Sequence, residues 1–466
     1  MKLARTVVLL ALAGMCWPAC AQNSAPRADA RLHDLLQAAQ PSGTAGSTAG
    51  AAKYVGPGSC SAVACHGGIQ PNGGRVLQDE YSTWVTQDKH AQAYASLKTP
   101  LGEQIASLVK LGPAEKAQRC LVCHALDVTP AEHDREFELS DGVSCESCHG
   151  PASKWLGPHI HATASQDAWL TQHREMVRLG LVDNQDLAAR SERCLGCHLG
   201  APGLNVDHDL IAAGHPDLTF ELDSFTAVEP IHWVEKDQAT GAANPAMFGA
   251  RAWAVGQAVQ LEMSMRRLQR HAKEGQWPEF SEMDCITCHH ALTGPQSWRQ
   301  KEGYGDHLPG RPPYNLSRYA LFQHFANDVD PGLNTELNAE VHAVALLITS
   351  MSSDRAAVVA AASSAADTAH EMVQKMEHAN YDRARTQRLL VAITADADHI
   401  AADGERTAEQ ATMTVDSLYI AEARDAGKNA ATREAIDGLF KLVNNPSAYN
   451  APQFAAQMKR VRATLQ

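Results

Sequence analysis

The chain has 466 residues and a formal net charge of −13, with carboxylates outnumbering basic side chains 53 to 40 and only 6% aromatic residues. That balance argues against a nucleic-acid-binding surface and predicts a basic patch on any docking partner, although an acidic surface kept for solubility reads the same numbers equally well. Beyond the N-terminal leader, no apolar run is long enough to cross a bilayer, so no transmembrane segment is expected in the mature chain.

The first 21 residues read as a signal peptide. Lys2 and Arg5 precede the apolar run Val7 to Met15, and Ala19-Cys20-Ala21 before Gln22 has the small-x-small pattern of a cleavage site. The run is too short to span a membrane, and Trp17-Pro18-Ala19 before Cys20 makes a poor lipoprotein box. A periplasmic or secreted protein, cut after Ala21, is expected. Residues 22–53 hold a short amphipathic segment with Leu32, Leu35 and Leu36 on one face, then a Gly/Ser/Thr/Ala-rich linker by composition. The segment reads as a frayed tail, with a docking tether as the alternative.

From Tyr54 to about Pro313 five motifs follow one another: Cys60-Ser-Ala-Val-Ala-Cys65-His66, Cys120-Leu-Val-Cys123-His124, Cys145-Glu-Ser-Cys148-His149, Cys194-Leu-Gly-Cys197-His198 and Cys285-Ile-Thr-Cys288-His289. The spacing has a mechanical reason. Two thioethers must reach the two vinyl groups on one porphyrin edge while the next residue brings an imidazole under the iron. Zinc fits badly, because a histidine directly after the second cysteine points away from the tetrahedron that two thiolates begin. Of the twelve cysteines, ten sit in the motifs and two, Cys16 and Cys20, in the leader, so none remains for a disulfide. The pattern is that of a multihaem c-type cytochrome with five covalently bound haem c groups and His66, His124, His149, His198 and His289 as proximal iron ligands.

So short a stretch cannot bury five porphyrins separately. The expected fold is mainly α: closely packed, stacked haems with little regular secondary structure around them, plus a C-terminal helical bundle. Only 25 positions separate His124 from His149, which predicts that the second and third haems are nearest neighbours. From residue 314 the composition turns to Ala, Glu, Gln, Arg and Leu at helical spacing. Val341, Ala345, Ile348 and Met351 share one face, as do Leu389, Ile393, Ala397 and Ile400. Ser353-Asp354 before 356–378, Asp403-Gly-Glu before 407–424, and 429–443 read as capped helices. Four to six helices are expected, capping the haem layer or serving as a docking or oligomerisation module.

A second histidine across the iron gives a six-coordinate haem suited to electron transfer, whereas an open position lets small molecules bind and react. The chain has 22 histidines, enough for every haem to have two. The distal candidates are His90 on a helix after the first motif, His159 with His161 as its rival, His208 and His215 flanking Asp209 to Gly214, and His232 before Trp233. His290 adjoins a proximal ligand and can reach only a neighbouring haem. Met247, Met263 and Met265 could be axial, but methionine at helical spacing more often packs.

Trp84 with His90-Ala-Gln-Ala, the run Gly142 to Pro151 with His159, and Arg193-Cys-Leu-Gly-Cys-His198 resemble the tetrahaem cytochromes that carry electrons from hydroxylamine oxidoreductase in ammonia oxidisers. The resemblance spans about Tyr54 to Leu199. It implies that His90 and His159 are distal ligands, that haem pairs stack, and that one haem can be five-coordinate. The stretched first motif, the fifth motif and the helical C-terminal region depart from that family. The expected function is electron relay between redox partners. The alternative is a reductase or oxidase of a small nitrogen or sulfur compound at one open haem.

Overall fold

A computed structural model describes residues 51–73, 76–161, 165–236, 245–285, 288–289, 312–350, 354–426 and 429–465. The leader, most of the 22–53 segment, His290 and Met351 lie outside the described residues. The molecule is mainly α, as expected. Among the described residues the only β-type pairings are three isolated bridges, Tyr54 with His133, Ala201 with Leu204 and Met283 with Tyr314.

Short helices carry the motifs. In chain order these are α1 (Glu80–Gln87), α2 (Pro100–Leu108), α3 (Gln118–His124), α4 (Cys145–His149), α5 (Gln166–Arg178), α6 (Leu187–His198), α7 (His208–Ala212) and α8 (Leu222–Val228). Helices α3, α4 and α6 each end on the histidine of a motif. Two cysteines three apart and a histidine four on from the first therefore share one helical face. Local capping starts these helices: Asp186 accepts from the Ala189 amide at α6, and Asp207 from Leu210 at α7.

Helix α9 (Phe248–Glu274) is the spine of the molecule. It is buried nearly all round and packs against α6 on one side. On the other lie α12 and α15 of the series α10 (Phe322–Val329), α11 (Pro331–Thr349), α12 (Arg355–His378), α13 (Arg383–Ala395), α14 (Ala397–Ala402), α15 (Glu405–Ala426), α16 (Ala430–Val443) and α17 (Ala451–Thr464). The capped helices read from sequence are present, with Asp354 and Asn429 accepting from first-turn amides. Val341, Ile348, Leu389, Ile393, Ala397 and Ile400 are buried, while Ala345 is half-buried. Eight described helices follow residue 313, more than the four to six expected; a turn at Asp396 divides the Leu389 to Ile400 stripe that read as continuous. One apolar core runs from Leu187 in α6 through α9 to Val461 in α17, so the boundary expected near residue 313 falls inside a continuous core.

An ion pair is buried in that core. Arg267 of α9 donates to both oxygens of Glu282 at 2.8 Å and to the Leu199 carbonyl at 2.7 Å, and His271 Nδ1 lies 3.1 Å from the same carboxylate. It joins α9 to the residue after His198 and to the approach to Cys285.

Candidate haem-binding sites

Numbered in chain order, the five motifs form sites 1 to 5. At site 3, Glu146, one of the two residues between the cysteines, is buried and accepts hydrogen bonds from the amides of Val55, Gly56 and Ala152 at 2.8–3.0 Å. The segment leading to Cys60 is thereby held against the Cys145 motif. Burial raises the Glu146 pKa, and the three amides oppose that shift. At site 1 the two extra residues are taken up in a turn, with Cys65 and Gly67 both donating to the Ala62 carbonyl and Val63 projecting outward.

Between α3 and α4 the chain is clamped to the distal side. Val143 donates to the His90 carbonyl and Trp84 Nε1 to the Val143 carbonyl, each at 3.1 Å. Gly142 has φ +70°, and a Cβ there would lie 2.9 Å from the His90 carbonyl oxygen, so this approach requires glycine.

The five sites are ordered by contact. Cys60 and Cys145 hydrogen-bond to each other, as do Cys123 and Cys197, and Cys148 lies within electrostatic range of Cys194. Sites 2 and 5 meet across α7, which has His208 at its start and His215 just beyond its end. The order in space is therefore 1, 3, 4, 2, 5. The expected adjacency of the second and third motifs gives way to pairing of 1 with 3 and 2 with 4. A short connection limits how far apart two motifs can lie, but the Glu146 and His90 contacts decide which motifs meet.

Four proximal histidines each face a distal candidate. Ring centres are 6.1 Å apart for His66 and His159, 6.2 Å for His90 and His198, 6.3 Å for His124 and His215, and 6.2 Å for His208 and His289. A metal–imidazole bond of about 2 Å, with roughly 1 Å more to each ring centre, puts two rings across one metal about 6 Å apart. That separation fits an iron between the rings. Nδ1 is engaged in His66 (Glu80), His124 (Ala93 carbonyl), His159 (Leu156 carbonyl) and His215 (Pro216 carbonyl), which leaves Nε2 as the free lone pair. Burial pushes His149 and His198 down to about 4, so both rings are neutral donors. The donor set and spacing fit haem c.

His232, the fifth candidate, lowers the His149 pKa through its charge and has its Nδ1 on the Pro230 carbonyl at 3.0 Å. The rival His161 lies on the surface, its carbonyl accepting from Gln172. Met247 and Met265 are core residues, and Met263 packs against that core. Reading the sequence missed Glu80 and Asp88, the carboxylates behind His66 and His90, and Glu146. The Asp88-Lys-His90 spacing, in which an aspartate caps the turn that carries the histidine, was the available signal.

The family described as cytochrome c554 and c-prime matches residues 60–150. Cytochrome c-554 of Nitrosomonas europaea is 31% identical over 121 residues, covering 24% of this chain and 50% of that protein. The chain thus spans about half the length of the curated relative it matches. No solved structure matches it. The matched motifs, together with the facing imidazoles and touching cysteines around them, make the protein a multihaem c-type cytochrome.

Proposed function

We propose that this is an exported electron carrier holding five haem c groups, on Cys60/Cys65, Cys120/Cys123, Cys145/Cys148, Cys194/Cys197 and Cys285/Cys288. Each iron would sit between two histidines: His66 and His159, His124 and His215, His149 and His232, His198 and His90, His289 and His208. The observation that carries the reading is the recurrence of ring centres 6.1–6.3 Å apart at four of the five sites. When bound, the haems supply one-electron iron couples. The protein's own part is to fix two imidazoles per site, exclude other ligands and bring the sites into contact in the order 1, 3, 4, 2, 5. Sulfurs exposed at the two ends, Cys65 at one and Cys285 and Cys288 at the other, supply ports for two partners. The net charge of −13 favours basic ones. The helices after α9 would cap this layer.

A second reading has its footing at site 3. Among the described residues His149 has no close ring partner, and Glu229, whose carboxyl pKa burial raises so that it can hold a proton, lies near His232 and His90. An open site there would allow reduction or oxidation of a small molecule.

EPR and near-infrared spectra of the oxidised protein decide between them. Electron relay predicts only low-spin iron, and His90→Ala should turn one of five haems high-spin. A high-spin fraction in the parent protein that binds nitrite or hydroxylamine would support the second reading.

A further inference from the structure

The groups behind the paired imidazoles are not equivalent. His124, His159, His215 and His232 have Nδ1 on backbone carbonyls. Two rings instead meet carboxylates: His66 Nδ1 lies 2.9 Å from Glu80 Oε2, and His90 Nδ1 lies 3.1 Å from Asp88 Oδ1. Both carboxylates are held in place. Glu80 accepts from the Leu77 amide at 2.7 Å, and Asp88 accepts from the His90 amide at 2.9 Å with its side chain only 5% exposed. Glu229 adds a further carboxylate close to the Asp88 and His90 pair.

A carboxylate at Nδ1 pulls on the ring proton and makes the opposite nitrogen a stronger, more anionic donor, which a carbonyl does less. A stronger donor favours ferric iron and lowers the reduction potential. Shielding from water preserves the effect.

The two carboxylates are distributed one to each touching pair. Sites 1 and 3 are in contact, and Glu80 stands behind site 1. Sites 2 and 4 are in contact, and Asp88 stands behind site 4. We infer that Glu80 and Asp88 are positioning residues that set an alternating order of potentials along 1, 3, 4, 2, so that the first electron into each pair settles on site 3 and site 2. The inference rests on the proposed reading of His66 and His90 as iron ligands.

The test is a redox titration of the fully loaded protein followed by EPR and absorbance, for the parent, Glu80→Gln, Asp88→Asn and the double variant, with His90→Ala as the ligation control. Both substitutions keep shape, and Asn can still accept the His90 amide. Each single variant should move one midpoint upward while all irons stay low-spin, and the double variant should move two. In the parent, the two signals these variants identify should be the last to disappear on reduction. Unchanged midpoints in both variants, with His90→Ala producing one high-spin iron, would overturn the inference and leave the ligand reading intact. A His90→Ala protein that stays wholly low-spin would overturn both. Should one variant fail to load haem, the other decides alone, since the carboxylates serve different pairs.

Discussion

At the scale of single residues, the imidazole pairs differ in twist. The ring planes of His66 and His159 lie within 6° of each other, whereas those of His90 and His198 are 84° apart and those of His124 and His215 are 87° apart. Parallel axial imidazoles split the iron d orbitals strongly and give a rhombic EPR signal; perpendicular ones leave two orbitals nearly degenerate and give a single low-field feature. The oxidised protein should show both classes, and His215→Ala should remove one low-field feature while sparing the rhombic signal. The motif cysteines and the histidines after them are read from spacing alone, because spacing within a motif is a local property. The distal candidates could be read only as a set, and four of them, His90, His159, His208 and His215, face a motif histidine. Which one faces which motif was not legible, since His90 lies 24 positions after the first motif yet faces the fourth. That pairing is decided by the clamp between His90, Val143 and Trp84.

Among the elements, α9 explains where sequence reading failed. Gln257, Gln260, Ser264, Arg267 and His271 are all buried on it. Spaced i, i+3, i+7, i+10 and i+14, they place a polar stripe inside the core, so the apolar-in, polar-out period that made the later helices readable is lost here. The buried polar groups serve as joints. Arg267 ties α9 to Leu199 and Glu282, and its guanidinium holds the Glu282 carboxyl far below the usual range against the cost of burial. Glu282→Gln should destabilise the fold by about 3–5 kcal/mol, since it leaves an uncompensated buried cation, as measured by chemical denaturation of the loaded protein. A depressed carboxyl pKa gives stability that is present above the unfolded value near 4.3 and lost as pH falls below it. The parent should therefore lose stability below about pH 4.3 more steeply than the Gln variant.

For the whole molecule, five sites in one file with exposed sulfurs at the ends make a testable count. The intact mass of the mature protein should exceed that of the polypeptide by five haems. Four haems, with Cys60 and Cys65 unmodified, would remove the port at site 1. The mainly α class and the helical C-terminal region were readable from composition. Their merger into one core was not, because it depends on α9 packing against both halves.

The burial of the central cysteines has a consequence for biogenesis. Thioether formation requires a lyase to hold the motif and the porphyrin edge together, and burial pushes the Cys148 and Cys194 thiols up to about 12, where they are unreactive. Once Glu146 has drawn the N-terminal segment against site 3, those cysteines are left only half-exposed. Attachment at the interior sites is therefore favoured before the chain closes, whereas Cys65, Cys285 and Cys288 stay exposed afterwards, so a protein matured with scarce haem should gain late haem at its ends in preference to its middle.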